Sequence, residues 1–202
     1  MDMDWFHFNI LWWNSFFEYK FKKIEQMKKE ILIIPSVFFL LIVSIFFYLL
    51  IIDRNPSEIP SNLINKSVPF FETEALFKSK KFISSQEFGN EVVVVNFFAT
   101  WCKPCRAEHK YIKKISNQKN IRIIGINYKD NPKKTTEWLK NLGNPYSDIP
   151  LDKNGRIAID WGVYGIPETF IIGSDGIIRY RHVGPITKKI YEKMILLITN
   201  IK

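Results

Sequence analysis

Cys102 and Cys105 are the only cysteines in a chain of 202 residues, and two residues separate them. A bridge between them closes too small a loop to staple a domain. A structural disulfide framework is therefore excluded, and the pair is either redox-active or half of a metal site. It sits in Trp101-Cys102-Lys103-Pro104-Cys105, after an apolar run and before a helical pattern. That context places Cys102 at a helix N-terminus, where unpaired backbone N–H groups and the helix dipole favour a thiolate. Lys103 adds positive charge, and Pro104 is tolerated in a first helical turn. Sulfurs three residues apart on one helical face are close enough to bond. Cys102 is expected to be the exposed attacking thiolate. Cys105, one turn further in, is expected to be the more buried thiol that resolves a mixed disulfide. Trp101 is expected to shield the sulfurs and offer a partner a flat surface, with ordinary core packing as the alternative.

Zinc is the competing chemistry. It needs four ligands, commonly Cys and His, and the chain offers the two cysteines with His7, His109 and His182. His109 falls one helical turn past Cys105, and nothing in the sequence brings His182 near. The expectation is no metal, and no cofactor beyond the Cys102–Cys105 disulfide itself.

The elements that must hold this pair follow from periodicity. Glu91 to Ala99 contains four consecutive valines, apolar on both faces, as in a central strand covered on both sides. The chain turns at Thr100-Trp101 and enters the helix of the dithiol, whose buried stripe is Tyr111, Ile112 and Ile115. Ile121 to Asn127 reads as a second buried strand. Thr135 to Leu142 reads as a helix stopped by Gly143 and Pro145. Glu168 to Ile172 and Ile177 to His182 read as a hairpin turned at Ser174-Asp175-Gly176, and Ile186 to Ile198 as a closing helix. Val68 to Glu72 is a weaker extended segment. This order predicts an α/β domain with a mixed central sheet flanked by helices.

Between Glu30 and Asp53 lie 22 uncharged residues. At 1.5 Å per residue they span about 33 Å, against a hydrocarbon core of about 30 Å. The run exceeds a signal-peptide core and lacks a small-x-small cleavage site, so an uncleaved transmembrane helix is expected, with Pro35 tolerated near its start. Lys20, Lys22, Lys23, Lys28 and Lys29 precede the run and only Arg54 closely follows it. By the positive-inside rule the N-terminus is cytoplasmic and the C-terminal part lies outside, in the periplasm of a bacterial inner membrane. The expected organisation is a cytoplasmic segment over residues 1–30, an anchor over 31–52, a Pro-containing linker over 53–66 and a periplasmic domain over 67–202. Residues 1–26 read either as an interfacial amphipathic segment or as a mis-called extension ahead of Met27. The net charge of +9 arises entirely beyond residue 56. Its lysines are spread through the domain without a nucleic-acid module, so no nucleic-acid partner is expected.

Trp101-Cys102-Lys103-Pro104-Cys105 resembles the Trp-Cys-Gly-Pro-Cys of thioredoxins. The likeness sharpens at Cys105-Arg106-Ala107-Glu108-His109, at Gly125 to Asp130 and at Gly162-Val163-Tyr164-Gly165-Ile166-Pro167-Glu168-Thr169-Phe170. These segments are similar to those of the cytochrome c biogenesis thiol:disulfide interchange proteins of the DsbE (CcmG) type, over about residues 27–200. The resemblance implies a thioredoxin-like fold and a membrane-tethered protein-disulfide reductase. Such a reductase keeps the haem-attachment cysteines of apocytochrome c reduced, directly or through a second thiol protein of cytochrome c maturation. A membrane electron donor of the DsbD or CcdA type re-reduces it. The resemblance also implies a cis peptide bond at Pro167, leaving the Ile166 backbone free to pair with an extended substrate, and an acidic feature from Glu108 and Glu168, either of which could take a proton from Cys105. The alternative for Glu108 is a solvent-exposed helix residue. Thioredoxins carry a buried Asp six residues before the first Cys. Here that position is Asn96, which cannot titrate, so any proton acceptor lies elsewhere. The general alternatives are a broad periplasmic oxidant or isomerase, or a binding module without redox activity.

Overall fold

The computed structural model describes residues 4–51, 62–77 and 81–201, and within the first helix the side chains at 18–23, 31 and 33–51. The chain forms two compact units, residues 1–54 and 55–202.

The first unit is one helix, α1 (Asp4–Ile51). Its segment Ile33–Ile51 has a mean hydropathy of 2.7 and is long and apolar enough to cross a membrane once. The helix runs unbroken from the aromatic-rich start into the apolar run, so these are not two elements. Pro35 consequently lies inside α1 rather than in its first turn. Its missing N–H costs one ladder bond, which long apolar helices accommodate.

The second unit is built on β3 (Val92–Phe98), every residue of which is buried. Side chains alternate across a strand, so Val92, Val94 and Phe98 enter one core while Val93, Val95 and Phe97 enter another. β4 (Ile121–Tyr128) runs parallel to β3 and carries β5 (Leu151–Asp152) parallel on its far side. β6 (Glu168–Ile172) is antiparallel to β3, and β7 (Ile178–Val183) closes the order β5-β4-β3-β6-β7. The first core is covered by α2 (Lys103–Ser116), α3 (Pro132–Leu142) and α5 (Lys188–Asn200), through Ile112, Ile115, Trp138, Leu139, Met194 and Ile198. The second is covered by α4 (Arg156–Asp160) and by a hairpin of β1 (Glu72–Glu74) and β2 (Phe82–Ser84). The fold is thioredoxin-like, a mixed sheet between helices, as expected.

The departures are local. α3 begins at Pro132, not Thr135, because the Asn131 carboxamide oxygen accepts from the N–H groups of Lys133 and Lys134 and Pro132 fits the first turn. α5 begins after Thr187, whose hydroxyl accepts from the Ile190 N–H. The extended segment at Val68–Glu72 pairs as a strand only from Glu72. The linker ends earlier than residue 66. Leu63 and Ile64 pack on the second core, the Asn65 N–H donates to the Ile178 carbonyl at 2.8 Å, and the Ile178 N–H donates to Lys66 at 2.9 Å. Residues 53–61 of the expected linker, and residue 52 of the expected anchor, lie outside the described residues.

Trp161, fully buried, joins Phe71, Phe97 and Phe170 at ring separations of 6.4, 5.7 and 5.1 Å. Trp161→Ala empties the centre of the second core and should cost about 3–5 kcal/mol. Urea unfolding of the wild-type and variant proteins measures that loss directly.

Candidate active site

The site is assembled where β3 ends. The chain leaves the sheet at Ala99, turns through Thr100 and Trp101, and Cys102 becomes the N-cap of α2 with extended backbone (φ −83°, ψ 104°). Asp130, just beyond β4, fixes that turn. Its carboxylate accepts from the Thr100 N–H at 2.5 Å, the Thr100 hydroxyl at 2.9 Å and the Asn131 N–H at 2.7 Å. In the sequence Asp130 stands out only as the end of the Gly125–Asp130 segment; a carboxylate directly after a buried strand is the signal that marks it.

Cys102 and Cys105 are joined, with an S–S distance of 2.02 Å. The Cys105 N–H donates to Cys102 Sγ at 3.1 Å, so a helix N-terminal donor already addresses that sulfur. Lys103 and Pro104 are exposed on the first turn. The expected contrast in exposure between the two cysteines is small, 5% for Cys102 against 2% for Cys105. Cys102 is covered because it is bonded to Cys105 and because the loop before β6 lies against it. The Ile166 carbonyl oxygen is 3.7 Å from Cys102 Sγ, and the Ile166–Pro167 bond is cis, as the resemblance implied. Trp101 is not in the core. It is 58% exposed, with its indole N–H donating to the Lys129 carbonyl at 3.3 Å and its ring tilted toward Tyr128. Tyr164, 73% exposed, stands in the loop before Ile166.

The two glutamates occupy opposite faces of the sheet. Glu168 pairs in register with Phe97 and shares its side, whereas Thr169 pairs with Asn96. Glu168 is fully buried and both oxygens are committed. One accepts from Arg181 Nε at 2.8 Å, the other from the Tyr164 N–H at 2.9 Å, and Arg181 also donates to the Gly162 carbonyl at 2.7 Å. It holds the loop that carries Ile166. Glu108 lies one turn beyond Cys105 on the buried side of α2, so the solvent-exposed alternative fails. Its Oε1 accepts from Asn96 Nδ2 at 2.9 Å and its Oε2 from the Ile186 N–H at 2.8 Å. Burial pushes its pKa up to about 7 against those two donors, which favour the ionised form. With Asn96 in place of the thioredoxin Asp, the proton acceptor must lie elsewhere. Asn96 is not that acceptor, but it touches the carboxyl that can be.

No zinc ligand set is assembled around the cysteines. Their sulfurs are bonded to each other, and His109 turns Nε2 to the Gly143 carbonyl at 2.9 Å. Among the described residues no group of three or more His, Cys, Asp or Glu could hold a metal ion. His7 lies outside the described side chains.

Comparison with known proteins agrees with this geometry. The Redoxin family model matches residues 64–195. The thiol:disulfide interchange protein DsbE of Vibrio cholerae serotype O1 is 42% identical over 180 residues, covering 84% of this chain and 97% of the relative. DsbE of Escherichia coli K12 is 42% identical over 173 residues, covering 84% and 93%. Among solved structures, a DsbE-like thiol:disulfide interchange protein from Chlorobium tepidum superposes with a TM-score of 0.61 at 20% identity, covering 68% of this chain and 96% of its own. A DsbF homologue from Corynebacterium diphtheriae also gives 0.61, at 18% identity, with 74% and 95% covered. The two structures support the fold, and the sequence relatives carry the kinship.

The raised pKa of Glu108 ties the buried carboxyl to stability. Its folded-state value lies above the ordinary 4.5, so its contribution is full below pH 4.5 and is lost as pH climbs through about 7. His109 and His182 act in the opposite sense. Burial holds both below the ordinary 6.5, so acid withdraws stability as pH falls beneath that value. Comparing variants at the same pH cancels the histidines. Glu108→Gln should gain on the wild type by about 3 kcal/mol between pH 4.5 and pH 8. Denaturant titrations of the oxidised proteins at both pH values test this, and parallel pH curves would contradict it.

Proposed function

Because this chain belongs to the Redoxin family and, within it, with the DsbE thiol:disulfide interchange proteins, we propose that this thiol–disulfide oxidoreductase is a membrane-anchored periplasmic reductant of cytochrome c maturation. The observation that carries the reading is the seating of Cys102 at the N-cap of α2, with the Cys105 N–H on its sulfur and the Ile166 carbonyl alongside. A sulfur so placed is favoured as a thiolate. α1 supplies an anchor, and the cations ahead of its apolar run favour a cytoplasmic N-terminus in a bacterial inner membrane.

In the reduced protein the Cys102 thiolate attacks a substrate disulfide. A bond forms between Cys102 Sγ and one substrate sulfur, and the other leaves as a thiolate. Cys105 gives its proton to the Glu108 carboxylate and attacks Cys102 Sγ, expelling the second substrate thiolate. Two electrons have passed from the dithiol to the substrate, and the protein is left with the Cys102–Cys105 disulfide. Glu108 suits the proton step because its pKa of about 7 lies between the two states it must visit near neutrality. Glu168 serves as a positioning residue for the Ile166–Pro167 loop, because it is ion-paired with Arg181 on the face of the sheet away from Cys105. The free backbone of Ile166 meets an extended substrate strand. Trp101 and Tyr164 offer exposed rings from the loops on either side, while Lys103 and Pro104 shape the first turn of the helix between the cysteines.

The substrate class is a peptide carrying closely spaced cysteines of the haem-attachment motif C-x-x-C-H, where a disulfide blocks haem attachment. It is met in apocytochrome c or in a second thiol protein of the pathway, and a DsbD- or CcdA-type membrane donor restores the dithiol.

Cys105→Ser prevents resolution, so Cys102 should remain in mixed disulfides with apocytochrome c or a maturation thiol protein, identified by mass spectrometry after thiol trapping. Equilibration of the wild type with glutathione should give a reducing potential, well below the value of about −120 mV for the strong oxidant DsbA. Mixed disulfides with a broad set of unrelated secreted proteins, together with an oxidising potential, would replace this reading with that of a general oxidant.

A further inference from the structure

A buried chain of hydrogen bonds behind the dithiol reaches further than the two cysteines and the glutamate. Asn96 is the one polar residue in β3, on the face that meets α2, and it is 1% exposed. Its amide is fully used. The Tyr146 hydroxyl donates to Oδ1 at 2.9 Å, and Nδ2 donates to Glu108 Oε1 at 2.9 Å and to Thr169 Oγ1 at 3.0 Å. Tyr146 comes from the loop after α3, fifty residues along the chain from Asn96. Its ring is held in place on two sides. It stacks on Phe98 at 4.7 Å and 20°, and it lies across β4 at Gly125, where a Cβ would come within 2.7 Å of its Cγ and Cδ1. The backbone at Gly125 needs no unusual conformation, so the missing side chain makes space for this ring.

We propose that Tyr146 is a positioning residue whose hydroxyl, by donating to Asn96, heads a chain of donors that ends on the Glu108 carboxyl and keeps that buried group able to ionise. The chain has one direction, from Tyr146 Oη–H to Asn96 Oδ1 and from Asn96 Nδ2–H to Glu108 Oε1. Each donor polarises the next, so the bond to the carboxylate is stronger with Tyr146 than without it. The second donor to Glu108, the Ile186 N–H, is backbone and independent of Tyr146. Inverting the Asn96 amide would instead aim its carbonyl at the carboxylate and surrender two donors at once, to Glu108 and Thr169.

The titratable groups around Glu108 come from several elements. Tyr146 itself is held well above its ordinary value by burial and by the Glu108 charge, so it stays a donor. His109, on α2, points to Gly143, and His182, on β7, lies 3.3 Å from the Pro185 carbonyl; burial lowers the pKa of both. Lys193 of α5 acts on His182. Arg181 is spent on Glu168 across the sheet.

The catalytic consequence rests on Glu108 accepting the Cys105 proton, as proposed above, whereas the donor chain does not. The test is therefore made on the oxidised full chain in detergent, with no substrate, by carbon-13 NMR titration of the Glu108 carboxyl. Tyr146→Phe keeps the ring, the stack on Phe98 and the space at Gly125 and removes only the hydroxyl. Its Glu108 midpoint should rise by at least about half a pH unit. The double variant Tyr146→Phe with Asn96→Leu also removes the direct Asn96 donor and leaves Glu108 only the Ile186 N–H, so its midpoint should rise further. In Tyr146→Phe an unchanged or lowered midpoint overturns the proposal, since a merely structural tyrosine would loosen the site and let water draw the midpoint down. If Tyr146→Phe folds poorly by near-ultraviolet circular dichroism, 3-fluorotyrosine at position 146, which keeps the hydroxyl and makes it a stronger donor, decides the question: the midpoint should fall, and an unchanged or raised midpoint overturns the proposal. Rates of mixed-disulfide resolution against pH, measured separately, follow the NMR midpoint where Glu108 takes the proton and ignore it where it does not. Failure of the chain and failure of the catalytic reading are thus told apart.

Discussion

The amide of Asn96 has no water to turn to. It sits in the middle of a strand covered on both faces, where each unpaired donor or acceptor costs about 1–3 kcal/mol. Its partners are therefore obligatory. They come from α2, from β6 and from the loop after α3, so one side chain ties the dithiol helix to the central sheet. A hydrophobic residue there would leave the Glu108 carboxyl with a single donor and the Tyr146 hydroxyl with none from Asn96. The position is expensive to fill with a polar group, and the site is organised around satisfying it.

The sheet also divides the labour of the two glutamates. Strand alternation sends Glu168 to the α4 side and Thr169 to the α2 side, although they are neighbours in sequence. On its side Glu168 pairs with Arg181 and holds a loop. Glu108 meets only neutral donors, and burial lifts its pKa toward neutrality. Identical carboxyls thus acquire different chemistry from the charge of their nearest partner.

Much of this was legible in the sequence because it depended on local signals. The run Val92–Phe98 announces a central strand, the dithiol follows a strand and opens a helix, and Ser174-Asp175-Gly176 marks the hairpin turn. The short β5 and α4, and the β1–β2 hairpin, carry too few residues to establish a period; Thr73 and Leu76 find partners far along the chain, and the Asp152 carboxylate accepts from the first N–H groups of α4. Asn131-Pro132 was a readable helix start that the apolar pattern concealed. Glu108 stands in the buried stripe of α2, three residues after Cys105 and four before Ile112, but its residue type concealed that place in a helix whose Arg106, Lys110, Lys113 and Lys114 all face solvent. The partners of Asn96 are 12, 50 and 73 residues away, and no spacing rule connects them.

Asp130 has a consequence for the cost of turnover. By gripping Thr100 through backbone and hydroxyl together, while capping the approach to α3 through Asn131, it sets the dithiol loop against β4 with bonds that do not involve sulfur. None of them involves an atom whose oxidation state changes. The ordering entropy of the loop is settled once, during folding, and is not levied again at each exchange. The dithiol loop thus has a tether to β4 that the exchange chemistry at sulfur need not break.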